Sequence, residues 1–308
     1  MSLINCPSCG SISYIIGPIP SSNEFAGKTL DEFIPGGNLC ACKDCKLYFR
    51  SPRMDMNKLN ALYKHANPNH WQYVIDDRID WRIALDYLSS KHTSGKIIDF
   101  GCWDGSFLMN CIGFFDCYGI ETNHTAAQKA IERGIKILSN DWSNVSIQAE
   151  TFDSVVAFDV IEHVCDPKKF LSNIASITKN GGDILISTGN TDALSWRIMR
   201  SKYWYCHISE HISFININWC YEIGKKLNLK VKHYEKFSHL GNNKTFRSYF
   251  SELRKNIAYA FKSPTRSVSY HKERGSDKSE VSKFPELKLK PPSWMSAKDH
   301  IIVIFGKI

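Results

Sequence analysis

The sequence predicts an α/β chain: a seven-stranded, mostly parallel sheet with helices on both faces, and a small cysteine-rich module in front of it. Three observations carry this. From residue 96 onward, short apolar runs alternate with stretches of helical period. A glycine turn in KIIDFGCWDGSFL, Lys96 to Leu108, joins one such run to the start of a helix. Ahead of both, the first 50 residues are rich in Cys, Gly and Pro and hold no long helical period.

Taken in order, Trp71 to Leu88 has apolar residues at helical spacing. Lys96 to Phe100, Cys117 to Glu121, Ile135 to Leu138, Phe152 to Phe158 and Asp183 to Thr188 then read as strands, with helices such as Thr125 to Arg133 and Lys168 to Thr178 in the gaps. Asp166 is the expected N-cap of the latter and Pro167 its first residue, since the carboxylate accepts from first-turn amides and proline has none to lose. Such alternation implies a parallel sheet covered on both faces. A helix at Asn218 to Leu227 and strands at Lys230 to Phe237 and His300 to Phe305 complete the set. The predicted units are residues 1–55, the cysteine module; 56–95, a helical lead-in; and 96–308, the sheet domain, with a basic insertion near 262–292.

The composition fits a globular chain with a full core: 308 residues, 43% hydrophobic and 23% charged. No segment approaches the roughly 20 apolar residues of a membrane span, and MSLINCPSCG lacks the regions of a signal peptide, so a cytoplasmic protein with reduced cysteines is expected. Half of the formal net charge of +8 falls between Lys262 and Lys290, which holds eight Lys or Arg against four Asp or Glu. That stretch reads as a solvated loop, or as a surface for anionic partners. No basic run interleaved with aromatics marks an RNA track, so nucleic acid is not the expected partner.

The glycine turn has the pattern D-x-G-x-x-x-G, with Asp99, Gly101 and Gly105 and with Cys102 inside it, in place of the G-x-G-x-x-G of a dinucleotide site. A carboxylate at the strand end repels a pyrophosphate and attracts an ammonium group. Glu121, ending the second strand, can accept from both hydroxyls of a ribose. Ribose plus a cationic amino acid describes S-adenosylmethionine (SAM). Asp141 and Trp142 then stand where a carboxylate can accept from the adenine amine and a ring can stack on it. Asp159, ending the fourth strand, falls near the reactive end.

IIDFGCWDGSFL, YGIE, FDSVVAFDVIEHVCDPKKFL and KNGGDILIST together resemble the successive motifs of class I SAM-dependent methyltransferases, and DHIIVIFGK is similar to that family's last, antiparallel strand. The resemblance is closest to small-molecule enzymes of the ubiquinone-biosynthesis type and to zinc-knuckle relatives associated with bacterial surface sugars. It implies a Rossmann-like sheet and methyl transfer. Trp103 stands where the family usually has a further glycine.

CPSCG and CKDC supply Cys6, Cys9, Cys42 and Cys45, two C-x2-C pairs that match the four ligands of a closed structural zinc site, a zinc ribbon. For catalysis, a hydroxyl acceptor needs alignment and a base. The candidates are His163, beside Glu162 in DVIEHV, and His211 with Glu210 in YWYCHISEHISF, where Glu210 or a nearby group would orient the His211 imidazole. His163 also reads as a hydrogen-bonded residue holding its loop together. The expected function is methylation of a small molecule, foremost a hydroxyl of a sugar or sugar nucleotide in surface polysaccharide synthesis. The alternatives are an RNA methyltransferase using the zinc module and the basic stretch, and a cofactor-binding interaction protein without turnover.

Overall fold

The computed structural model describes residues 4–67, 70–71, 73, 75, 78–91, 94–141, 147–239, 246–261, 291–292, 294 and 298–308. The chain opens with β1 (Ile4–Asn5), β2 (Ile12–Ile19), β3 (Ser22–Phe25), β4 (Lys28–Ile34), β5 (Gly37–Cys42) and β6 (Tyr48–Ser51), then α1 (Met56–Lys64) and α2 (Ile79–Lys91). The sheet domain follows as β7 (Gly95–Phe100), β8 (Phe115–Ile120), α3 (His124–Glu132), β9 (Lys136–Ser139), β10 (Phe152–Phe158), α4 (Pro167–Ile177) and β11 (Thr178–Gly189). It ends with α5 (Leu194–Met199), β12 (Ser213–Phe214), α6 (Ile217–Lys226), β13 (Leu229–Phe237), α7 (Phe246–Phe261) and β14 (His300–Lys307).

Seven strands form the main sheet in the order β13-β14-β11-β10-β7-β8-β9. β9, β8, β7, β10 and β11 run parallel, and β14 lies antiparallel to both β11 and β13. Alternate residues feed two cores, as the period of two requires. Ile98, Val155, Ile184 and Val303 pack with Phe170, Ile174 and Trp219 of α4 and α6 on one face. Ile97, Val156, Leu185 and Ile302 pack with Trp81, Ala84 and Leu88 of α2 on the other. Helices start where the sequence offers caps: Asp166 accepts from the Lys169 amide ahead of Pro167, and Asn123 from the Ala126 amide. The one helix expected over Trp71 to Leu88 begins only at Ile79, and the aromatic residues before it line the cavity described below.

A second sheet, β1-β2-β5-β6-β12, takes its last strand from beyond β11. Phe49 and Tyr48 of β6 pair with Ser213 and Phe214, and the Trp219 indole N–H donates to Ser8 Oγ at 3.1 Å. The cysteine-rich strands and the main sheet therefore share one core, containing Cys6, Cys42, Ile215 and Trp219 together. No helix among the described residues is long and apolar enough to cross a membrane. Most of the basic insertion expected near 262–292 lies outside the described residues.

Candidate active site

A cavity of about 870 Å³ opens at the carboxyl ends of β7, β8 and β10, the edge of a parallel sheet where ligands dock. The glycine turn forms its floor. Gly101 has φ +75°, and a β-carbon there would come within 2.8 Å of Val160 Cγ2. Gly105 has φ +77° and packs against Ile135 and Ala130, so both positions require glycine. Trp103 takes φ +49°, in the left-handed region that favours glycine. Its amide donates to Glu121 Oε2 at 2.9 Å and its ring meets Trp71 edge-on at 4.9 Å, contacts that offset the cost of this backbone.

Asp99 and Glu121 end adjacent strands and are both buried in the cavity floor. Asp99 Oδ1 has no hydrogen-bond partner among the described residues, and burial, followed by the nearby Glu121 charge, pushes this carboxyl well above the usual range. Glu121 accepts from the Asn123 and Trp103 amides, yet burial still raises it to about 7. A ligand ammonium is the group that resolves such an orphaned acid oxygen, and ribose hydroxyls suit the second lone pairs of Glu121. The donor set thus fits SAM.

Asp159, at φ +52°, is paired with Arg78 at 2.8 Å, and Arg78 also makes a forked pair with buried Asp80 at 2.9 and 2.6 Å. Cys102 lies in the same lining, its thiol pushed up by burial. Asp141 lines an adjoining cavity of about 300 Å³ that shares Asn60 and Thr122 with the main one. Trp142 falls outside the described residues.

The other half of the cavity gathers the proposed acid–base residues. Carboxylate and ring nitrogen atoms of Glu162, His163 and His211 lie within 4.8 Å of one another. Glu162 accepts from the Tyr205 hydroxyl at 2.6 Å and from Thr188 Oγ1 at 2.8 Å, and burial, then the Asp159 charge, raise it to about 8. His211 Nδ1 faces the Tyr205 carbonyl at 3.1 Å. A carbonyl only accepts, so Nδ1 carries the hydrogen and a neutral ring keeps its lone pair on Nε2. The Glu210 carboxylate serves elsewhere: it accepts from the Ala26 amide at 3.2 Å and from Ser209 Oγ at 3.0 Å, tying the β3–β4 hairpin over the cavity. The group that orients His211 is therefore the Tyr205 carbonyl. His163 Nδ1 stands 2.6 Å from the Tyr63 hydroxyl and 3.1 Å from the Glu210 carbonyl, a bridging position suited to holding the loop.

Tyr63, Trp71, Arg78, His239 and His300 also line this cavity and no motif in the sequence singled them out. The only signal was the aromatic density before α2. Away from the cavity, Cys6, Cys9, Cys42 and Cys45 converge, with Sγ–Sγ separations of 3.5 Å for Cys6–Cys45 and 3.4 Å for Cys9–Cys42. These are too long for disulfides, near 2.05 Å, and compact enough for one tetrahedral thiolate site. The Ser8 amide points at Cys6 Sγ, and Gly10 and Lys46 at φ +77° and +64° close the two turns. Cys40 stays out of the cluster.

The sheet order and the cavity at its carboxyl edge define a class I SAM-dependent methyltransferase. The profile of the methyltransferase-domain family matches residues 59–234, more than half of the chain, and the chain belongs to that family. An uncharacterized protein of Methanocaldococcus jannaschii is 22% identical over 172 residues, 56% of this chain and 82% of that one. The ubiquinone biosynthesis O-methyltransferase of Parvibaculum lavamentivorans is 33% identical over 144 residues, 43% of this chain and 55% of the enzyme; that of Erwinia tasmaniensis is 28% identical over 131 residues, 37% and 51%. The chain spans about half the length of these two enzymes. A SAM-dependent methyltransferase of Thermotoga maritima, described as a possible histamine N-methyltransferase, shares the fold with a TM-score of 0.50 at 14% identity, covering 81% of this chain and all of that one.

Proposed function

We propose that this protein methylates a hydroxyl of a small molecule, foremost a sugar or sugar nucleotide of surface polysaccharide synthesis. The observation that carries the reading is the pairing, in one cavity, of an acidic floor with an imidazole-lined wall. Asp99 would take the SAM ammonium, Glu121 the ribose, Gly101, Cys102 and Gly105 would shape the turn beneath them, and Asp141 and Trp142 would meet the adenine. Asp159, with Arg78, would border the methionine end. SAM supplies an electrophilic methyl on a sulfonium and leaves as a neutral thioether.

This chain aligns the acceptor and handles its proton. His211 offers an Nε2 lone pair to a hydroxyl of the acceptor, Glu162 and Tyr205 hold the wall beside it, and His163 with Glu210 fixes the roof. Polar groups between the rings of Trp204, Tyr205 and Tyr63 suit a polyol, whose faces are apolar and whose edges accept and donate. Four thiolates at Cys6, Cys9, Cys42 and Cys45 would hold one structural zinc ion and stiffen residues 1–55, with 56–95 as lead-in and 96–308 as catalytic domain. The test is turnover of labelled SAM against sugar nucleotides, catechols and bulk RNA. Methylated sugar nucleotide is the expected product; labelled RNA alone would overturn the reading.

A further inference from the structure

His300 opens β14, where it pairs with Gly189 at the end of β11 and with Phe237 at the end of β13. That register places it at the cavity edge, in the same lining as Glu162 and Tyr205. Its ring is fixed on three sides: stacked on Phe237 at 5.8 Å, and edge-on to Tyr205 at 5.8 Å and to His239 at 4.7 Å. We propose that His300, positioned by Asp299, is the proton acceptor for the hydroxyl that is methylated, and that His211 only accepts from a neighbouring hydroxyl of the same acceptor; this rests on the methyl-transfer reading above.

Asp299 Oδ1 stands 3.3 Å from His300 Nδ1 and accepts from Ser238 Oγ at 2.8 Å. Oδ2 is 3.5 Å from the Tyr203 hydroxyl, whose nearer acceptor is the Trp294 carbonyl at 3.0 Å, and the Asp299 carbonyl accepts from the Asn190 amide at 2.7 Å. A carboxylate so held can orient an imidazole and stabilise its cation, the arrangement that makes a His–Asp pair a base. The 3.3 Å contact is not aligned as a hydrogen bond, for Nδ1 has no such partner here; catalytic pairs of this kind tighten when substrate binds. The carboxylate near His211 is that of Glu162, within 4.8 Å and engaged by Tyr205 and Thr188. His211 Nδ1 faces a carbonyl and its ring lies 4.9 Å from that of His163.

The charged and titratable groups around His300 are Asp299, Asp159, Asp80 and Arg78, with His239, His211 and Tyr205. Burial lowers the basicity of His300, but Asp299, and then Asp159 and Asp80, outweigh it and raise the imidazole above 6.5. Burial, followed by His163, holds His211 well below 6.5. In the transfer, the acceptor O–H bond breaks with its electron pair left on oxygen, and an N–H bond forms at His300 Nε2. The proton stays on the imidazolium that Asp299 stabilises and returns to solvent when the product leaves.

Proton NMR titration of the full chain, with S-adenosylhomocysteine as the probe ligand, tests this without turnover. His300 should titrate above 6.5 and His211 below it, and Asp299→Asn should lower the His300 value while leaving His211 in place. With a sugar-nucleotide acceptor, the wild-type rate should rise with pH through an inflection above 6.5. Asp299→Asn should move that inflection down without changing the KM for SAM, and His300→Gln should lose about a hundredfold to ten-thousandfold and the inflection with it. A His300 that titrates below 6.5, or that ignores Asp299→Asn, overturns the proposal even if the enzyme methylates sugars. Failure to bind S-adenosylhomocysteine at all would instead sink the methyl-transfer reading beneath it.

Discussion

The proposed cofactor half of the cavity draws Asp99, Gly101, Cys102 and Glu121 from one strand-turn-strand run, whereas the proposed acceptor half collects Tyr63, His163, Tyr205, His211, His239 and His300 from separate parts of the chain. The first is held by bonds internal to β7, β8 and the turn between them, such as the Trp103 amide on Glu121. The second is held by long-range contacts: Glu210 on the Ala26 amide, Arg50 on the Cys206 carbonyl, and β6 paired with β12. The difference leads to the expectation that the acceptor half depends on the cysteine module and the cofactor half does not.

The largest effect should come from breaking that dependence. Cys9→Ser or Cys42→Ser should remove stoichiometric zinc, measured by elemental analysis of protein purified without chelators. Because β6 and β12 share a sheet, methyl transfer should be lost while calorimetric SAM binding persists. Zinc-free wild-type protein with a folded module would show that the four sulfurs are simply reduced thiols.

Next in size is Glu121→Ala, which removes a charged hydrogen-bond partner worth roughly 1.5–3 kcal/mol. SAM affinity should drop about tenfold to a hundredfold, with the acceptor KM unchanged if the halves are independent. His211→Ala should cost less, since one neutral hydrogen bond is worth about 0.5–1.5 kcal/mol, a loss in turnover of up to about tenfold. A larger loss, with the pH inflection gone, would make His211 the base itself.

The smallest effect is on stability. Glu162 has its carboxyl raised from the ordinary 4.5 to about 8, so the folded state holds this proton more tightly than the unfolded one. Its contribution is therefore intact below about 4.5 and is lost as pH rises toward about 8. By scanning calorimetry, the wild type should lose stability relative to Glu162→Gln across that window. Parallel curves would mean that Tyr205 and Thr188 keep the carboxylate ionised when folded.

The same contrast explains what could be read from the sequence. Lys96 to Leu108 and the apolar runs after it report their own structure because strand, turn and helix are local, and the expected strand at Phe152–Phe158 matches β10 residue for residue. Arg78 and His300 fell in stretches read only as helix and strand, and His239 in none, because what places them in the cavity is the pairing of β13 and β14 and the packing of α2, each set by tertiary contacts. Trp103 shows a limit of another kind. Its left-handed backbone follows from the Glu121 carboxylate and the Trp71 ring around it, which a bulky residue at that position does not announce.

The central claim is that Asp99 and Glu121 form a seat for a cationic nucleoside ligand, and isothermal calorimetry in buffers of different ionisation enthalpy tests it most directly. Burial holds Glu121 near 7 and Asp99 well above its usual range, so an arriving ammonium should favour the ionised forms and expel protons near neutral pH. SAM should bind at one per chain, with heat that varies with buffer in the sense of proton release, and NAD should not bind. Binding of NAD without SAM would contradict the account.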